Sequence, residues 1–201
     1  MKIIGITGPT GAGKSSLSEY MRARGIPVID ADKLYHSLLT PPSPCLDAIR
    51  SAFGDKVFTC EGELDRSLLA HIVFNDEKQL ELLNETVLST VLCESRKLFA
   101  KYESEDIKCA AIDAPTLIES GFYTECHTVV SVICPYDLRI ERIILRDNLD
   151  RDAAEERVRA QKPNEFYTER SDTVINNNSD EEKFMADCKA FVDSILCEVD
   201  L

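Results

Sequence analysis

Short apolar runs alternate along the chain with longer stretches that carry apolar residues at helical spacings. The short runs are rich in β-branched residues, and their length predicts buried strands of a parallel sheet. The predicted strands are residues 1–7, 25–30, 109–113, 128–133 and 173–176. The predicted helices are residues 16–24, 33–39, 44–53, about 67–74, 77–102, 136–148 and 180–198, and a short helix that ends at Glu119. The alternation predicts an α/β fold.

The long stretch between the second and third strands is mostly helical. Within it, Ser43 is a candidate N-cap and Pro44 suits the first position of a helix. Residues 55–64 are rich in turn formers and are expected on the surface. We therefore predict an inserted helical domain of residues 32–104. The predicted core domain consists of residues 1–31 and 105–201.

The first strand leads into the sequence Gly-Pro-Thr-Gly-Ala-Gly-Lys-Ser, residues 8–15. It matches the pattern G-x-x-x-x-G-K-[ST], in which glycines turn successive backbone N–H groups toward one point and the next helix adds its positive end. Lys14 can reach the β- and γ-phosphates of a nucleotide, and the Ser15 hydroxyl can bind Mg²⁺. The predicted nucleotide-binding residues are Gly11, Ala12, Gly13, Lys14, Ser15 and Ser16.

The overall charge limits the partners of the protein. The 201 residues carry a formal net charge of -13, which argues against general binding to nucleic acids or anionic membranes. The sequence shows no apolar stretch as long as a membrane span and no signal-peptide pattern. We therefore expect a cytoplasmic protein that acts on small molecules. A monomer is also expected, although nothing in the sequence determines the oligomeric state.

Eight cysteines are many for this length, but none forms a C-x-x-C pair. Even the nearest two, Cys126 and Cys134, are eight residues apart in the chain, so a zinc site is not expected. Without a secretion signal, the cysteines are interpreted as reduced thiols that mostly fill the core.

Carboxylates follow two of the predicted strands, at the edge where open α/β sheets bind ligands. Asp32 lies just beyond the second strand, and Asp30 precedes it by two residues. Asp113 ends the third strand, where it would either orient Mg²⁺ or cap a helix. Strand geometry alone does not choose between Asp30 and Asp32, because residues two apart point the same way. Asp32 is preferred because it lies nearer the ligand edge.

One segment gathers the cations that an acidic protein needs around a polyphosphate. Its basic residues are Arg139, Arg142, Arg146, Arg151, Arg157, Arg159 and Lys162. Acidic residues interleave them, so a solvated helix with salt bridges is one interpretation, and phosphate contact is the other. Arg142 and Arg146 share a helical face. We favour phosphate contact for Arg146, which lies near the end of its helix.

Several motifs together resemble one family. They are Ile29-Asp30-Ala31-Asp32, Phe53-Gly54, Gly62-Glu63-Leu64-Asp65-Arg66, Val73-Phe74, Asp113-Ala114-Pro115-Thr116-Leu117-Ile118-Glu119, Arg142 with Arg146-Asp147-Asn148, Arg157 and Gln161, and Val174-Ile175-Asn176-Asn177. With the glycine loop, they resemble the dephospho-CoA kinases over most of the chain. The resemblance implies a P-loop NTPase fold of three layers around a central parallel sheet. It also implies that the inserted domain binds the acceptor and that a helical lid spans about residues 147–165.

The resemblance further implies an activity and its site residues. ATP, with Mg²⁺, would phosphorylate the ribose 3′-hydroxyl of dephospho-CoA, the last step of coenzyme A synthesis. Asp32 would accept or orient the hydroxyl proton, with Lys14 and Arg146 as the other catalytic residues. The metal would bind Ser15, with Asp32 or Asp113 acting through water. Arg146 and Asn176 would join the ATP site, and the acceptor would contact Asp32, Arg66, Arg142 and Glu119.

The sequence departs from the family pattern at three places. His36 stands where the family has arginine, Leu88-Ser89 where it has His-Pro, and Thr116 where it has leucine. The first two fall in the predicted acceptor domain, so another P-loop kinase with a nucleoside or sugar-acid acceptor is the nearest alternative. A GTPase switch would carry N-K-x-D and D-x-x-G, which this sequence lacks. A non-catalytic nucleotide-binding module is the third alternative.

Overall fold

The computed structural model describes residues 1–178 and 180–199. Contacts within the chain define two compact units, one of Met1–Ile29 with Tyr102–Leu201 and one of Asp30–Lys101. Ser179, Asp200 and Leu201, which the predicted core range includes, lie outside the described residues. The sheet belongs to the first unit, and the second is mostly helical.

Five strands form the sheet: β1 (Lys2–Thr7), β2 (Val28–Asp30), β3 (Cys109–Asp113), β4 (Thr128–Ile133) and β5 (Thr173–Asn176). Their order is β2-β3-β1-β4-β5. Central β1 pairs in parallel with β3 and β4, and β4 pairs in parallel with β5. All five predicted strands are confirmed, and β3, β4 and β5 have the predicted bounds.

The α-helices of the described residues are α1 (Lys14–Ala23), α2 (Ala31–Ser37), α3 (Pro44–Phe53), α4 (Arg66–Phe74), α5 (Glu77–Ser104), α6 (Tyr136–Asp147), α7 (Arg151–Arg159), α8 (Asn164–Thr168) and α9 (Glu181–Val199). Helices α1 and α9 pack against the sheet, where Leu17, Cys188 and Ile6 are fully buried in one hydrophobic cluster. Within the described ranges, no helix combines the length and the apolar character that crossing a membrane requires.

The second unit has its own hydrophobic core, formed by Cys45, Ile49, Phe53, Val57, Leu69 and Val73. Its α3 begins as predicted, because the Ser43 hydroxyl accepts a bond from the Cys45 N–H at 3.1 Å and Pro44 is the first helical residue. Val57 ends a 3₁₀ helix and is fully buried. The expectation that residues 55–64 lie on the surface is therefore wrong at this position.

One predicted helix of the first unit is absent from the structure. The short helix predicted to end at Glu119 is wrong, because residues 115–120 form turns. Adjacent Leu117 and Ile118 both enter the core, and Gly121 turns the backbone with a φ of 75°.

The cysteines do not mostly fill the core: Cys45, Cys109, Cys134 and Cys188 are buried, Cys126 is half-buried, and Cys60, Cys93 and Cys197 are exposed.

Candidate active site

The glycine-rich loop between β1 and α1 follows a path that only glycine allows at two positions. Gly8 has a φ of 134°, and a Cβ there would lie 2.1 Å from the carbonyl oxygen of Val132 in β4. Gly13 has a φ of 102°, and a Cβ there would lie 2.3 Å from Nδ2 of Asn177. Both distances are far shorter than a carbon atom tolerates. The two glycines of the motif therefore let the loop pack directly against its neighbours.

The loop ends at the N-terminus of α1, which suits an anion. Within the part of the chain that the structure describes, no side chain caps this helix at Gly13, so its first N–H groups and its dipole favour a negatively charged ligand. The Lys14 ammonium donates to the carbonyl oxygens of Gly8 at 2.7 Å and Pro9 at 3.1 Å. A phosphate can compete with these neutral acceptors because hydrogen bonds between charged groups are stronger.

Arg139 of α6 lies almost completely buried beside the loop, with 4% of its surface exposed. Its Nε donates to the Thr10 carbonyl at 3.0 Å, and its Nη2 donates to Oε1 of Gln161 at 2.9 Å. The same Oε1 accepts the Thr10 N–H at 2.7 Å. Burial lowers the pKa of the Arg139 guanidinium, but an arginine still keeps its charge at neutral pH. Both backbone groups of Thr10 are thus held by side chains.

Arg142, one turn further along α6, holds the next part of the loop together with Asn177. Its Nη2 donates to Oδ1 of Asn177 at 2.8 Å, and its Nη1 approaches the Gly11 carbonyl at 3.4 Å. The Nδ2 of Asn177 donates to the Ala12 carbonyl at 2.9 Å, and Asn177 itself is buried. The Nη1 of Arg142 also lies 3.3 Å from the Sγ of Cys134. Arg142 thus contacts the loop directly at Gly11 and indirectly through Asn177, and its predicted role toward the acceptor stays a prediction.

A cavity of about 330 Å³ opens beside the end of the loop. Its lining residues are Gly13, Ser16, Arg142, Asn177, Glu181, Phe184 and Met185. Phe184 and Met185 offer apolar surface, whereas Arg142 and Glu181 offer opposite charges. A flat aromatic group with polar edges fits this combination.

Asp113 lies at the carboxyl end of β3, next to central β1, where Ile6 is its partner in register. Its Oδ2 accepts a bond from the buried Ser18 hydroxyl of α1 at 2.7 Å. Because residues 115–120 form turns, the alternative that Asp113 caps a helix is wrong. The structure therefore places a carboxylate, oriented by α1, at the ligand edge of the sheet.

Arg146, the favoured phosphate ligand, lies near the end of α6, and its side chain is 54% exposed. Its Nε and Nη2 donate to the two carboxylate oxygens of Asp147 at 2.8 and 2.9 Å. Arg157 of α7 donates to the same carboxylate at 2.7 Å. The bond from Arg146, with the further effect of Arg157, holds the pKa of Asp147 below its usual range. Asp147 thus occupies the bidentate fork that a phosphate would use.

The remaining cations of the segment fit the solvated interpretation. Arg151 and Arg159 both pair with Glu155 on α7, each four residues away. Lys162 lies 5.8 Å from the centre of the Phe166 ring. The segment therefore divides into arginines that hold the loop, arginines that share Asp147, and surface pairs worth little to stability.

In the second unit, the two candidate aspartates have different surroundings. Asp30 is the N-cap of α2: its carboxylate accepts the Lys33 N–H at 3.0 Å and pairs with the Lys33 ammonium at 3.2 Å. Asp32 lies in the first turn of α2 and is exposed. Arg66, the first residue of α4, is also exposed. Burial raises the pKa of the half-buried Tyr35 hydroxyl, and the charge of Arg66 only partly opposes this shift. The candidate that sequence reasoning preferred, Asp32, is thus the one without a capping role.

Two other predicted residues are exposed, and several contacts of the loop were not predicted. Glu119 and Asn176 are both exposed. The amide that reaches the loop belongs instead to the next residue, Asn177, and the sequence assigned no loop contact to Arg139 or Gln161. The only local signals were the place of Gln161 and Asn177 in the family motifs and of Arg139 in the basic segment, because their partners lie far away in the chain.

Comparison with known proteins identifies the family. Residues 2–183 match the family model of dephospho-CoA kinase. The chain is similar to a dephospho-CoA kinase of Fusobacterium nucleatum, with 35% identity over 96% of this chain and 98% of that protein. It is also similar to a dephospho-CoA kinase of Corynebacterium efficiens, with 31% identity over 98% of each chain.

Solved structures agree with the sequence matches. A protein of Thermus thermophilus is 29% identical, with a TM-score of 0.74 over 98% of this chain and 97% of that one. The dephospho-CoA kinase of Campylobacter jejuni is 26% identical, with a TM-score of 0.69 over 97% of this chain and 98% of that one. The predicted P-loop kinase fold around a central parallel sheet is confirmed. The chain therefore belongs to the dephospho-CoA kinase family, the phosphotransferases that use ATP to phosphorylate an alcohol group of dephospho-CoA.

Proposed function

We propose that the glycine loop of this protein binds ATP and that the γ-phosphoryl group passes to the ribose 3′-hydroxyl of dephospho-CoA, giving coenzyme A and ADP. The observation that best supports this proposal is the set of hydrogen bonds that fix the backbone of the loop. Side chains from α6 and from the segments after α7 and β5 bond the backbone of Thr10, Gly11 and Ala12. Phosphoryl transfer requires mainly positioning and charge neutralisation, which a loop fixed in advance supplies.

On the nucleotide side, Lys14 and the N–H groups at the start of α1 bind the β- and γ-phosphates, with Ser15 and Ser16 beside them. The cavity next to Gly13 receives the base, between the apolar side chains of α9 and the guanidinium of Arg142. Arg146 exchanges Asp147 for a phosphate oxygen as the lid of about residues 147–165 closes. The exposed Asn176 lies next to the residue that lines the cavity, and its contact with ATP stays a prediction.

Mg²⁺ fits the residues present at the loop. The ion prefers oxygen ligands. The exposed Ser15 hydroxyl lies in the first turn of α1, directly after the loop, and the Asp113 carboxylate, which Ser18 orients, lies at the carboxyl end of β3. We assign Ser15 as a direct ligand, with Asp113 or Asp32 acting through water. When bound, the ion neutralises charge on the β- and γ-phosphates.

Asp32 is the proposed proton acceptor for the 3′-hydroxyl. The attacking oxygen needs a carboxylate that can accept or orient its proton. Asp30 is less suited because its carboxylate already caps α2 and pairs with Lys33, whereas Asp32 is exposed.

The acceptor is proposed to bind the helical domain of about residues 32–104. Arg66, exposed at the start of α4, offers a charge for a phosphate of dephospho-CoA. Glu119 and Arg142 complete the predicted acceptor set. The cytoplasmic location and the monomeric state also stay predictions from the sequence.

The acceptor identity is tested by an assay that couples ADP formation to NADH oxidation, with ATP, Mg²⁺ and one acceptor at a time. We expect turnover with dephospho-CoA and, at equal concentration, less than about 1% of that rate with nucleosides or gluconate, because the wrong acceptor leaves buried polar groups unpaired. A higher kcat/KM for a nucleoside or for gluconate would contradict the proposal.

Asp32 is tested with a matched pair of variants. Asp32→Asn keeps the shape of the side chain but removes the proton acceptor, so kcat is expected to fall by about 10²–10⁴-fold while the directly measured Kd of ATP changes little. Asp30→Asn is the control, since an amide oxygen can still cap α2, and it is expected to keep kcat within about tenfold. The assignment is wrong if Asp32→Asn keeps near-normal kcat while Asp30→Asn is inactive.

A further inference from the structure

Gln161 joins the end of the predicted lid helix to the phosphate loop. It follows α7 and the capping residue Ala160, and its own N–H donates to the Val158 carbonyl at 3.2 Å. Its side-chain oxygen accepts the Thr10 N–H at 2.7 Å and a guanidinium N–H of Arg139 at 2.9 Å. The first of these bonds spans 151 residues of sequence. One amide oxygen therefore connects the end of α7, helix α6 and the loop.

The chemistry of its partners determines which atom of the Gln161 amide makes these hydrogen bonds. The backbone N–H of Thr10 and the guanidinium of Arg139 are both donors without any accepting capacity. Only the amide oxygen can face them, and the amide nitrogen must point elsewhere. The contact thus needs an acceptor at residue 161, and a carboxylate would serve as well as an amide.

The contact orders the loop before any ligand arrives. The Thr10 carbonyl accepts Nε of Arg139 at 3.0 Å, so both backbone groups of Thr10 are engaged away from a phosphate. Because Thr10 lies between the glycines at 8 and 11, this fixes the start of the curl that gathers the later N–H groups. Loss of the acceptor would leave a backbone N–H and an arginine N–H with no partner in a largely buried place, which is costly.

Helix α7 is packed on α6 by a small hydrophobic cluster. Ala154 and Val158 of α7 contact Ile140 and Ile143 of α6, and all four are buried. Arg157 of α7 reaches the carboxylate that also holds Arg146. The helix that Gln161 follows therefore carries a group, Arg157, whose partner Asp147 also bonds Arg146, so α7 is connected both to the loop and to the predicted lid arginine.

We propose that Gln161 is a positioning residue: its side-chain oxygen ties the end of α7 to the phosphate loop, and tight ATP binding depends on that tie. The proposal rests on the proposed function, because it assumes that this loop binds ATP. It adds a residue that acts on ATP affinity through Thr10 rather than by touching the reacting groups.

The test compares three variants by calorimetric ATP binding, thermal unfolding and steady-state kinetics. Gln161→Met keeps the length of the side chain and removes the acceptor, so the Kd of ATP is expected to rise about tenfold or more at a temperature where the protein is fully folded. Gln161→Glu keeps the acceptor and pairs with Arg139, so its Kd is expected to stay within about threefold of the parent. Lys162→Ala, at the exposed neighbouring residue, is expected to change nothing. The KM for dephospho-CoA should stay the same in all three.

Each alternative result is distinct. A Kd for Gln161→Met within twofold of the parent would overturn the proposal, even if the melting temperature falls, because the role would then be structural only. Equal losses in Gln161→Met and Gln161→Glu would also overturn it, since they would indicate that the amide nitrogen binds the ligand. If the parent protein itself fails to bind ATP, the proposed function is wrong, and the inference falls with it.

Discussion

The arginines near the two ends of α6 differ in burial and in hydrogen-bond partners. Toward the start of the helix, Arg139 is buried and bonds the neutral oxygens of Thr10 and Gln161. At the other end, Arg146 is about half exposed and bonds a carboxylate, Asp147. The two residues are two helical turns apart, yet one is fixed in the interior and the other is held at the surface.

The difference supports the proposal that α6 supplies both a rigid support for the loop and an exchangeable phosphate ligand. A buried cation without acceptors strongly destabilises the folded protein, so the Arg139 side chain is held in one position. Ion pairs near the surface contribute little to stability, so the proposed exchange of Asp147 for a phosphate oxygen would cost little. Arg142 lies between them, half-buried, and it contacts both the loop and the cavity.

The largest effect is expected at the buried end. Arg139→Met removes the donors to Thr10 and Gln161, so the free energy of unfolding should fall by about 2–4 kcal/mol and the Kd of ATP should rise about 100-fold. Chemical denaturation and calorimetry measure the two quantities. Arg151→Met, which removes an exposed cation of the same segment, serves as the control and is expected to change stability by less than about 0.5 kcal/mol. Equal decreases in the free energy of unfolding of Arg139→Met and Arg151→Met would contradict the distinction between buried and exposed arginines.

At the exposed end, Arg146→Lys should reduce catalysis without weakening the fold. Lysine keeps the charge but lacks the planar fork that binds two oxygens at once, and we expect kcat to fall about 10–100-fold. The melting temperature should stay within about 2 °C, because the side chain is exposed. Full activity of Arg146→Lys would indicate that Arg146 belongs to the solvated surface ion pairs and does not bind phosphate.

The smallest effect concerns the carboxylate that occupies Arg146. In Asp147→Asn the competing charge is removed, so ATP no longer has to displace it, and the Kd of ATP is expected to decrease by up to about fivefold. Titration at low and high salt checks the electrostatic origin, because screening should reduce the difference from the parent. Weaker ATP binding in this variant would mean that Asp147 orients Arg146 toward ATP instead of competing with it.

The elements that the sequence predicted best are those with local signals. Strand β4 has its predicted bounds because a run of β-branched residues is buried between two neighbours, and α3 begins as predicted because Ser43 and Pro44 form a local cap. The predicted helix ending at Glu119 failed where tertiary packing prevailed, since Leu117 and Ile118 both enter the core.

The site could be predicted only as far as its chemistry is local. Lys14 and Ser15 follow from the motif, whereas Asn177 is recognised as a loop contact only through partners 35 and 165 residues away. Asn176 and Asn177 are neighbours, and only the end of β5 decides which of them turns inward. The different surroundings of Asp30 and Asp32 likewise depend on the end of β2, where Asp30 is the cap of α2. The choice of Asp32 as proton acceptor stays a prediction.

The central claim is that the glycine loop and Lys14 carry out phosphoryl transfer, and Lys14→Ala tests it most directly. The measurement is the amount of coenzyme A formed from ATP and dephospho-CoA, followed by chromatography and mass spectrometry, with thermal unfolding of the same sample to show that the variant is folded. Loss of the ammonium that the loop holds near Gly8 and Pro9 should reduce turnover by about 10³-fold or more and leave the melting temperature nearly unchanged. A folded Lys14→Ala variant that makes coenzyme A within tenfold of the parent rate would contradict the account.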